Sequence, residues 1–135
     1  MDDARLATIL RTLARHFPNV QGVWVFGSFA TGEQTSASDL DLAILLPPED
    51  AQPSTVQFCR QELMEQLDMD VDLIDLRHAN TVFQNEIVSH GHVLHAWSTH
   101  AVQVFEMLSL SLWQKLNQER AGIVSDILAS GRILA

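Results

Sequence analysis

The pattern that most constrains this chain is a Gly-Ser pair followed, after ten residues, by an Asp-Leu-Asp triplet. Gly27 and Ser28 directly follow VWVF, a short apolar run of the kind that forms a buried strand. Asp39 and Asp41 open a second apolar run, DLDLAILLP. The pattern therefore predicts two buried strands, the first ending in a glycine turn and the second beginning with two carboxylates.

The Gly27-Ser28 turn has the properties of a phosphate-binding segment. Glycine lets the backbone turn sharply and approach a ligand closely. A short helix can begin at Ser28 and end at Gly32, and the free N–H groups at a helix start suit phosphate oxygens. Because the Ser28 hydroxyl adds a further donor, we expect this turn to hold the phosphates of a nucleotide.

The two carboxylates of the triplet are expected to lie on one face of their strand, because strand side chains alternate between faces. The alternate positions face a core: Leu40, Leu42, Ile44 and Leu46. Two carboxylates about 4 Å apart repel by roughly 4 kcal/mol at an effective dielectric constant of 20. A divalent cation that bridges Asp39 and Asp41 would relieve this repulsion. Mg²⁺ fits, because it takes few carboxylates and completes its shell with phosphate and water.

A third carboxylate can come from the run MDVDLIDLR, which reads as another strand. Asp72 shares a face with Ile74, whereas Asp75 shares a face with Val71 and Leu73. Periodicity alone therefore does not choose between Asp72 and Asp75. A third acid beside the first two would complete a two-metal site for in-line phosphoryl or nucleotidyl transfer.

These residues resemble the GSx10DxD signature of the DNA polymerase β-like nucleotidyltransferases. The short length resembles the minimal nucleotidyltransferase (MNT) group, and the resemblance continues through DVDLIDLR to the helix, glycine and strand pattern that ends in HGHVLHAW, as in MNT antitoxins paired with HEPN toxins. It implies that Gly27 and Ser28 bind the nucleotide. It also implies that Asp39, Asp41 and Asp72 are catalytic and hold the metal, which leaves Asp75 as a secondary candidate.

The resemblance implies an antitoxin that transfers AMP from ATP, with Mg²⁺, to a tyrosine of a cognate HEPN ribonuclease toxin. We therefore expect a hetero-oligomer with that toxin. The chain contains no tyrosine, so it cannot modify itself at that residue type. Two alternatives stay open: an antitoxin that acts by binding alone, and a small-molecule nucleotidyltransferase, for which 135 residues leave little chain to build an acceptor pocket.

The charge balance bears on partners and location. There are 17 acidic residues against 8 lysines and arginines. Direct nucleic-acid binding, which needs basic patches, is therefore not expected, whereas an acidic surface can steer a basic protein. The apolar runs are far too short for a membrane span, and we expect no secretion signal at the start of the chain. Cys59, the only cysteine, is expected in the core. We expect a cytoplasmic protein with no membrane association.

The periodicities predict an α/β (α+β) fold, and the resemblance implies that it is of the minimal polymerase β-like type, with one MNT domain over residues 1–135. We expect a small mixed sheet of about four strands flanked by helices, with C-terminal helices. The strands are predicted at 21–26, 39–46, 71–76 and 92–97. Helices are predicted at 3–17, from Thr99 to Asn117, and at 120–130. Two more are predicted to begin at capping side chains, one at Ser54 and one at Asn80, the latter ending at Gly91.

The C-terminal extension, from about residue 98, is expected to contact a partner because it carries more apolar residues than one helix face needs. One stripe can face the domain: Val102, Phe105, Leu108, Leu112, Trp113 and Leu116. Val104, Met107 and Leu110 lie to its side. The alternative is that the short helix at 120–130 folds back and covers them. The tail from Ser130 is expected to be loosely held.

Overall fold

The computed structural model describes residues 1–35 and 37–130. The helices are α1 Asp3–His16, α2 Ser28–Thr31, α3 Pro53–Leu67, α4 Thr81–His90 and α5 Thr99–Ser130. The strands are β1 Gly22–Phe26, β2 Leu40–Leu45, β3 Val71–Asp75 and β4 His92–Ala96. Single 3-10 turns span Pro48–Asp50 and Leu76–His78.

The four strands form one mixed sheet in the order β3-β2-β1-β4. β1 pairs antiparallel with β2 and with β4, whereas β2 and β3 are parallel because α3 crosses between them. The last residue of β1, Phe26, and the first residue of β4, His92, therefore lie at the same edge of the sheet as the first residues of β2 and β3. This mixed sheet with flanking helices confirms the predicted fold class.

The sheet buries both faces, because its strands alternate between two apolar clusters. On one side Val25, Leu42 and Leu73 pack with Ile9 of α1 and Leu63 of α3. On the opposite face Trp24, Ala43 and Leu45 pack with Ile87 of α4 and Phe105 of α5. Asp41 and Asp72 project from this second face, beyond the end of its apolar cluster.

Of the two predicted helix caps, one is confirmed and the other is wrong. Asn80 caps α4 as expected, since its Oδ1 accepts a hydrogen bond from the Phe83 N–H at 2.8 Å. Ser54 does not cap α3, which begins one residue earlier at Pro53 with Gln52 at its cap position. Proline suits the first helical turn because its missing N–H would have no partner there.

The C-terminal extension is a single 32-residue helix, so the predicted break between residues 117 and 120 is wrong. Residues 118–121 are Gln, Glu, Arg and Ala, all good helix formers, and a lone Gly122 costs only about 1 kcal/mol relative to alanine. Because α5 continues, its last turns do not fold back over the apolar surplus. Ile123 and Leu128 are 57% and 76% exposed.

The stripe of α5 that packs on the domain is narrower than predicted. Val102 and Phe105 are buried as expected, and Ser109 occupies the next turn of the same face. Leu108 and Leu112 are instead 52% and 51% exposed, although each lies three residues after a buried position of α5. The apolar surface left uncovered is therefore larger than the sequence indicated.

No helix in the two described stretches is both long and apolar enough to cross a membrane. The predicted loose tail lies mostly outside the described residues, which end at Ser130. Cys59 lies in the first apolar cluster with no exposed surface, as the sequence predicted.

Candidate active site

The turn after β1 requires glycine for two independent reasons. Gly27 adopts φ 69° and ψ −150°, a region that only glycine enters without strain. A Cβ at this position would overlap a carboxylate oxygen of Asp41 and lie 3.2 Å from its Cγ. The backbone of this turn therefore packs directly against the Asp41 carboxylate.

Ser28 begins the short helix α2 where the sequence predicted a helix start. Its carbonyl accepts a hydrogen bond from the Glu33 N–H at 3.0 Å, and Gly32 ends the helix with φ 77°. The half-buried Ser28 side chain lies in the same cleft wall as Gly27.

The register of the sheet brings two of the predicted acids together. Asp41 of β2 is the direct partner of Asp72 on the parallel strand β3, and it also faces Phe26 of β1. Asp39 directly precedes β2 and is exposed, while the intervening Leu40 is fully buried on the opposite face. The geometry thus places Asp39, Asp41 and Asp72 at the sheet edge that carries the Gly27 turn.

Asp75, the other acid of β3, lies away from this edge. It pairs in register with Ile44, three positions further along β2. Its Oδ2 lies 2.5 Å from Nδ1 of His78, an exposed residue in the turn that follows β3. Asp75, the alternative that periodicity left open, therefore lies three register positions away from the Asp41–Asp72 pair.

Charge crowding among the acids is visible at Asp41. Burial raises the pKa of its carboxyl above the usual range, and the neighbouring carboxylates of Asp72 and Asp39 raise it further. Each of these effects disfavours the negative charge, so a cation at this edge would be stabilised by all three acids.

The acids at this edge match the way in which Mg²⁺ is commonly held. In the described residues, no three His, Cys, Asp or Glu side chains are arranged so that they alone could enclose a metal ion. Mg²⁺ does not require such a cage, since it is commonly bound through one or two carboxylates with substrate phosphates and water completing its octahedron. The Asp41–Asp72 pair, with its unbalanced negative charge, fits that mode of binding.

A cleft of about 310 Å³ opens beside the Gly27 turn. It is lined by Phe26, Gly27, Ser28, Thr31, Glu33, Glu86, His90 and Gly91. Glu86 and His90 come from α4, and neither belongs to the site predicted from the sequence. Their spacing of four residues, directly before Gly91, places both on one helix face and is the signal that could have found them.

A second cavity of about 590 Å³ lies between α4 and α5. It is lined by Asn80, Thr81, Val82, Phe83, Glu86 and Leu116. Glu86 borders both cavities, so the exposed face of α4 connects the cleft at the Gly27 turn with the start of the uncovered part of α5.

Comparison with protein families and curated relatives agrees with this geometry. Residues 8–100 match the family described as polymerase beta, nucleotidyltransferase. The protein adenylyltransferase MntA of Shewanella oneidensis is 35% identical over 124 residues, which cover 90% of this chain and 86% of that protein.

Solved structures give the same likeness. A crystal structure of a toxin–antitoxin pair with AMP-PNP contains a chain that matches with a TM-score of 0.79 and 32% identity, covering 91% of this chain and 98% of that one. A structure of the tri-AMPylated Shewanella oneidensis HEPN toxin in complex with an MNT antitoxin matches with a TM-score of 0.75 and 30% identity, covering 95% and 99%.

Proposed function

The chain belongs to the polymerase β nucleotidyltransferase family, and on that premise we propose that it is an antitoxin that transfers AMP from ATP to a tyrosine of a cognate HEPN toxin. The observation that carries the proposal is the meeting of Gly27, Asp41 and Asp72 at one edge of the sheet. Its similarity to a protein adenylyltransferase, and to an antitoxin solved with an AMPylated toxin, supports this choice of reaction and partner.

We assign the nucleotide to the Gly27 turn and the metal to the acids. Gly27 and Ser28 bind the triphosphate, and the AMP-PNP in a related toxin–antitoxin structure supports a nucleotide substrate. Asp39, Asp41 and Asp72 would hold Mg²⁺. Bound there, the ion would neutralise phosphate charge and activate the acceptor hydroxyl.

The side chains of this site act by binding and orientation. The glycine turn lets the triphosphate lie against the sheet edge, with the α-phosphorus facing the incoming acceptor oxygen. A new P–O bond forms at the α-phosphorus while its bond to pyrophosphate breaks, so AMP remains on the acceptor and the hydroxyl proton is released. No covalent intermediate with this chain is required, since positioning and electrostatic stabilisation carry the catalysis.

The acceptor must come from another chain, because this one contains no tyrosine. We propose that residues 98–135 form a partner-contacting extension of the single nucleotidyltransferase domain. Support comes from α5, whose apolar side chains Met107, Leu110, Ile123 and Leu128 are between 42% and 76% exposed. Exposed apolar surface of this extent on a helix is typical of protein–protein contacts. The cytoplasmic location expected from the sequence stays a prediction.

The proposal is tested by incubating the chain with ATP labelled at the α-phosphate, Mg²⁺ and the cognate HEPN toxin. We expect label on the toxin, and loss of at least 100-fold in rate when Asp39→Asn and Asp41→Asn are combined. Asp70→Asn, which removes an exposed acid just before β3, serves as the matched control and should leave the rate within about twofold.

Two outcomes would contradict this assignment. Label transfer that survives the double substitution would move the chemistry away from these carboxylates. Toxin neutralisation without any label transfer would favour an antitoxin that acts by binding alone, a function consistent with the uncovered surface of α5. Replacing the candidate acceptor tyrosine of the toxin with phenylalanine should abolish labelling while leaving complex formation intact.

A further inference from the structure

The cleft beside Gly27 has two walls, and each carries one carboxylate, Glu33 after α2 and Glu86 on α4. One wall is the glycine turn with the Ser28 hydroxyl, which can donate hydrogen bonds. The other is the C-terminal end of α4, where Glu86 and His90 precede Gly91. A helix C-terminus carries a partial negative charge, and the Glu86 carboxylate adds to it. The α4 wall therefore disfavours phosphate and favours groups that donate hydrogen bonds.

The end of α4 is held firmly against the sheet. A Cβ at Gly91 would lie 2.6 Å from the Ile87 carbonyl oxygen and 2.9 Å from that of Val25, so this close approach requires glycine. Ile87 is fully buried in the second apolar cluster. The distance between the α4 wall and the Gly27 turn is consequently set by packed backbone.

The start of α4 is fixed as well. The Phe83 ring packs edge-to-face on Phe26, the residue before Gly27, with centroids 5.6 Å apart. Gln84 is buried, and its Nε2 donates to the carbonyl oxygens of Leu76 and Arg77 at 3.1 Å each. Because both ends of α4 are anchored, the positions of its exposed residues Glu86 and His90 at the cleft are fixed as well.

Glu86 is the acceptor that this wall presents. Its side chain is 64% exposed, and one carboxylate oxygen lies 3.5 Å from Nδ1 of His90, one turn later. An ionised carboxylate only accepts hydrogen bonds and has about four lone-pair sites, so capacity remains for a ligand. The groups of ATP that can donate are the ribose hydroxyls and the adenine amino group, whereas the phosphates cannot.

We propose that Glu86 selects the nucleoside: with the triphosphate at Gly27 and Ser28, Glu86 accepts a hydrogen bond from the sugar or base of the nucleotide. The inference rests on the proposed function, which it deepens by naming a specificity residue on α4. The ribose hydroxyls and the adenine amino group can each donate this hydrogen bond, and nucleotide analogues that lack one or the other distinguish them.

The test measures binding of ATP, 2′-deoxyATP, 3′-deoxyATP and ITP by competition with a fluorescent ATP analogue. The wild-type chain should bind at least one analogue about tenfold or more weakly than ATP, because hydrogen bonds to charged groups are among the stronger ones. Glu86→Ala should weaken ATP to the level of that analogue and leave the analogue itself unchanged. Glu86→Gln, which keeps an acceptor oxygen, should recover part of the preference.

Two controls separate this inference from the proposed function. Glu65→Gln, an exposed acid on α3, should change none of the four affinities. Ser28→Ala should weaken all four nucleotides by a similar factor. If Glu86→Ala leaves the ratios unchanged while Ser28→Ala weakens binding, the Glu86 assignment is wrong and the nucleotide site stands. If the wild-type chain binds none of the nucleotides, both are wrong.

Discussion

Asp41 and Asp72 are direct partners on the parallel strands β2 and β3, so two acids far apart in sequence face each other across one strand spacing. The Gly27 backbone closes on Asp41 from the other side. An apolar pair at these positions would extend the core that packs under α4. The fold instead concentrates negative charge where a nucleotide–metal complex would neutralise it.

This arrangement predicts that the metal-free protein is more stable without the Asp41 charge. Burial, Asp72 and Asp39 raise the folded-state pKa of Asp41, so between the unfolded value near 3.9 and the raised value the folded state binds more protons than the unfolded state. Stability therefore falls as pH rises through this window. Asp41→Asn should raise the melting temperature at pH 7, and the gain should shrink towards pH 4.

Thermal melts of the metal-free protein at both pH values check this prediction. Asp70→Asn removes one negative charge outside the pair and controls for net charge. A melting temperature for Asp41→Asn equal to or below that of the wild-type chain at pH 7 would show that the acid pair imposes no stability cost.

The strand pattern predicted much of the site, and its limits have a physical cause. Alternation placed Asp39 and Asp41 opposite Leu40, and the buried Leu40 confirms the facing of this run. Alternation could not choose between Asp72 and Asp75, because each shares its face with apolar residues. Only the register between β2 and β3, a property of two paired strands, places Asp72 beside Asp41.

The features that sequence reasoning missed depend on packing between distant elements. Glu86 reaches the cleft because Gly91 and Phe83 fix α4 against β1. The four-residue spacing of Glu86 and His90 places them on one helix face, but it does not say which element that face approaches. The continuous α5 was missed for another reason. The predicted break between residues 117 and 120 falls on residues whose high helix propensity allows the helix to continue.

Gly27 and Gly32 form a matched pair for testing the turn. Both have positive φ, at 69° and 77°, but a Cβ at Gly32 meets nothing within 4 Å. Gly32→Ala should therefore cost only backbone strain, about 1–2 kcal/mol, and keep AMP transfer. Gly27→Ala adds a collision with the Asp41 carboxylate in a region essentially reserved for glycine, so it should cost about 1–3 kcal/mol more.

Denaturant unfolding and label transfer, both measured on Gly27→Ala and Gly32→Ala, test these two expectations. The Gly27→Ala rate of AMP transfer should fall at least 100-fold even at a temperature where the variant is fully folded. Equal stability losses and equal rates for the two variants would mean that the close contact between Gly27 and Asp41 has no role.

The outer part of α5 should matter for the partner and not for the fold. Ile123→Lys and Leu128→Lys replace side chains that are 57% and 76% exposed, so unfolding free energies should change by less than about 0.5 kcal/mol. Binding to the HEPN toxin should weaken by about tenfold or more, since a lysine charge placed in an apolar contact should cost more than about 1.4 kcal/mol.

Binding is measured by calorimetry or by co-elution at dilute concentration. Gln118→Lys and Ser125→Lys, exposed polar positions on the same helix, add the same charge and serve as controls. Toxin affinity that is unchanged in the Ile123 and Leu128 variants would place the interface elsewhere on the chain.

Cys59 provides an independent measure of how tightly the α3 side of the core is closed. The thiol has no exposed surface, and burial raises its pKa to about 12, so almost none of it is thiolate in the folded protein at pH 8. Alkylation at pH 8 should therefore be roughly 100-fold or more slower than in denaturant, where the pKa returns to about 8.5 and the group is accessible.

The alkylation rate reports on Cys59 alone because the chain has one cysteine, and Cys59→Ala should take up no label at all. Labelling that proceeds in the native protein at the denatured rate would contradict a closed core between α3 and the sheet. If instead the rate follows denaturant concentration in parallel with the loss of helical signal, then the thiol is reached only by opening of the whole fold.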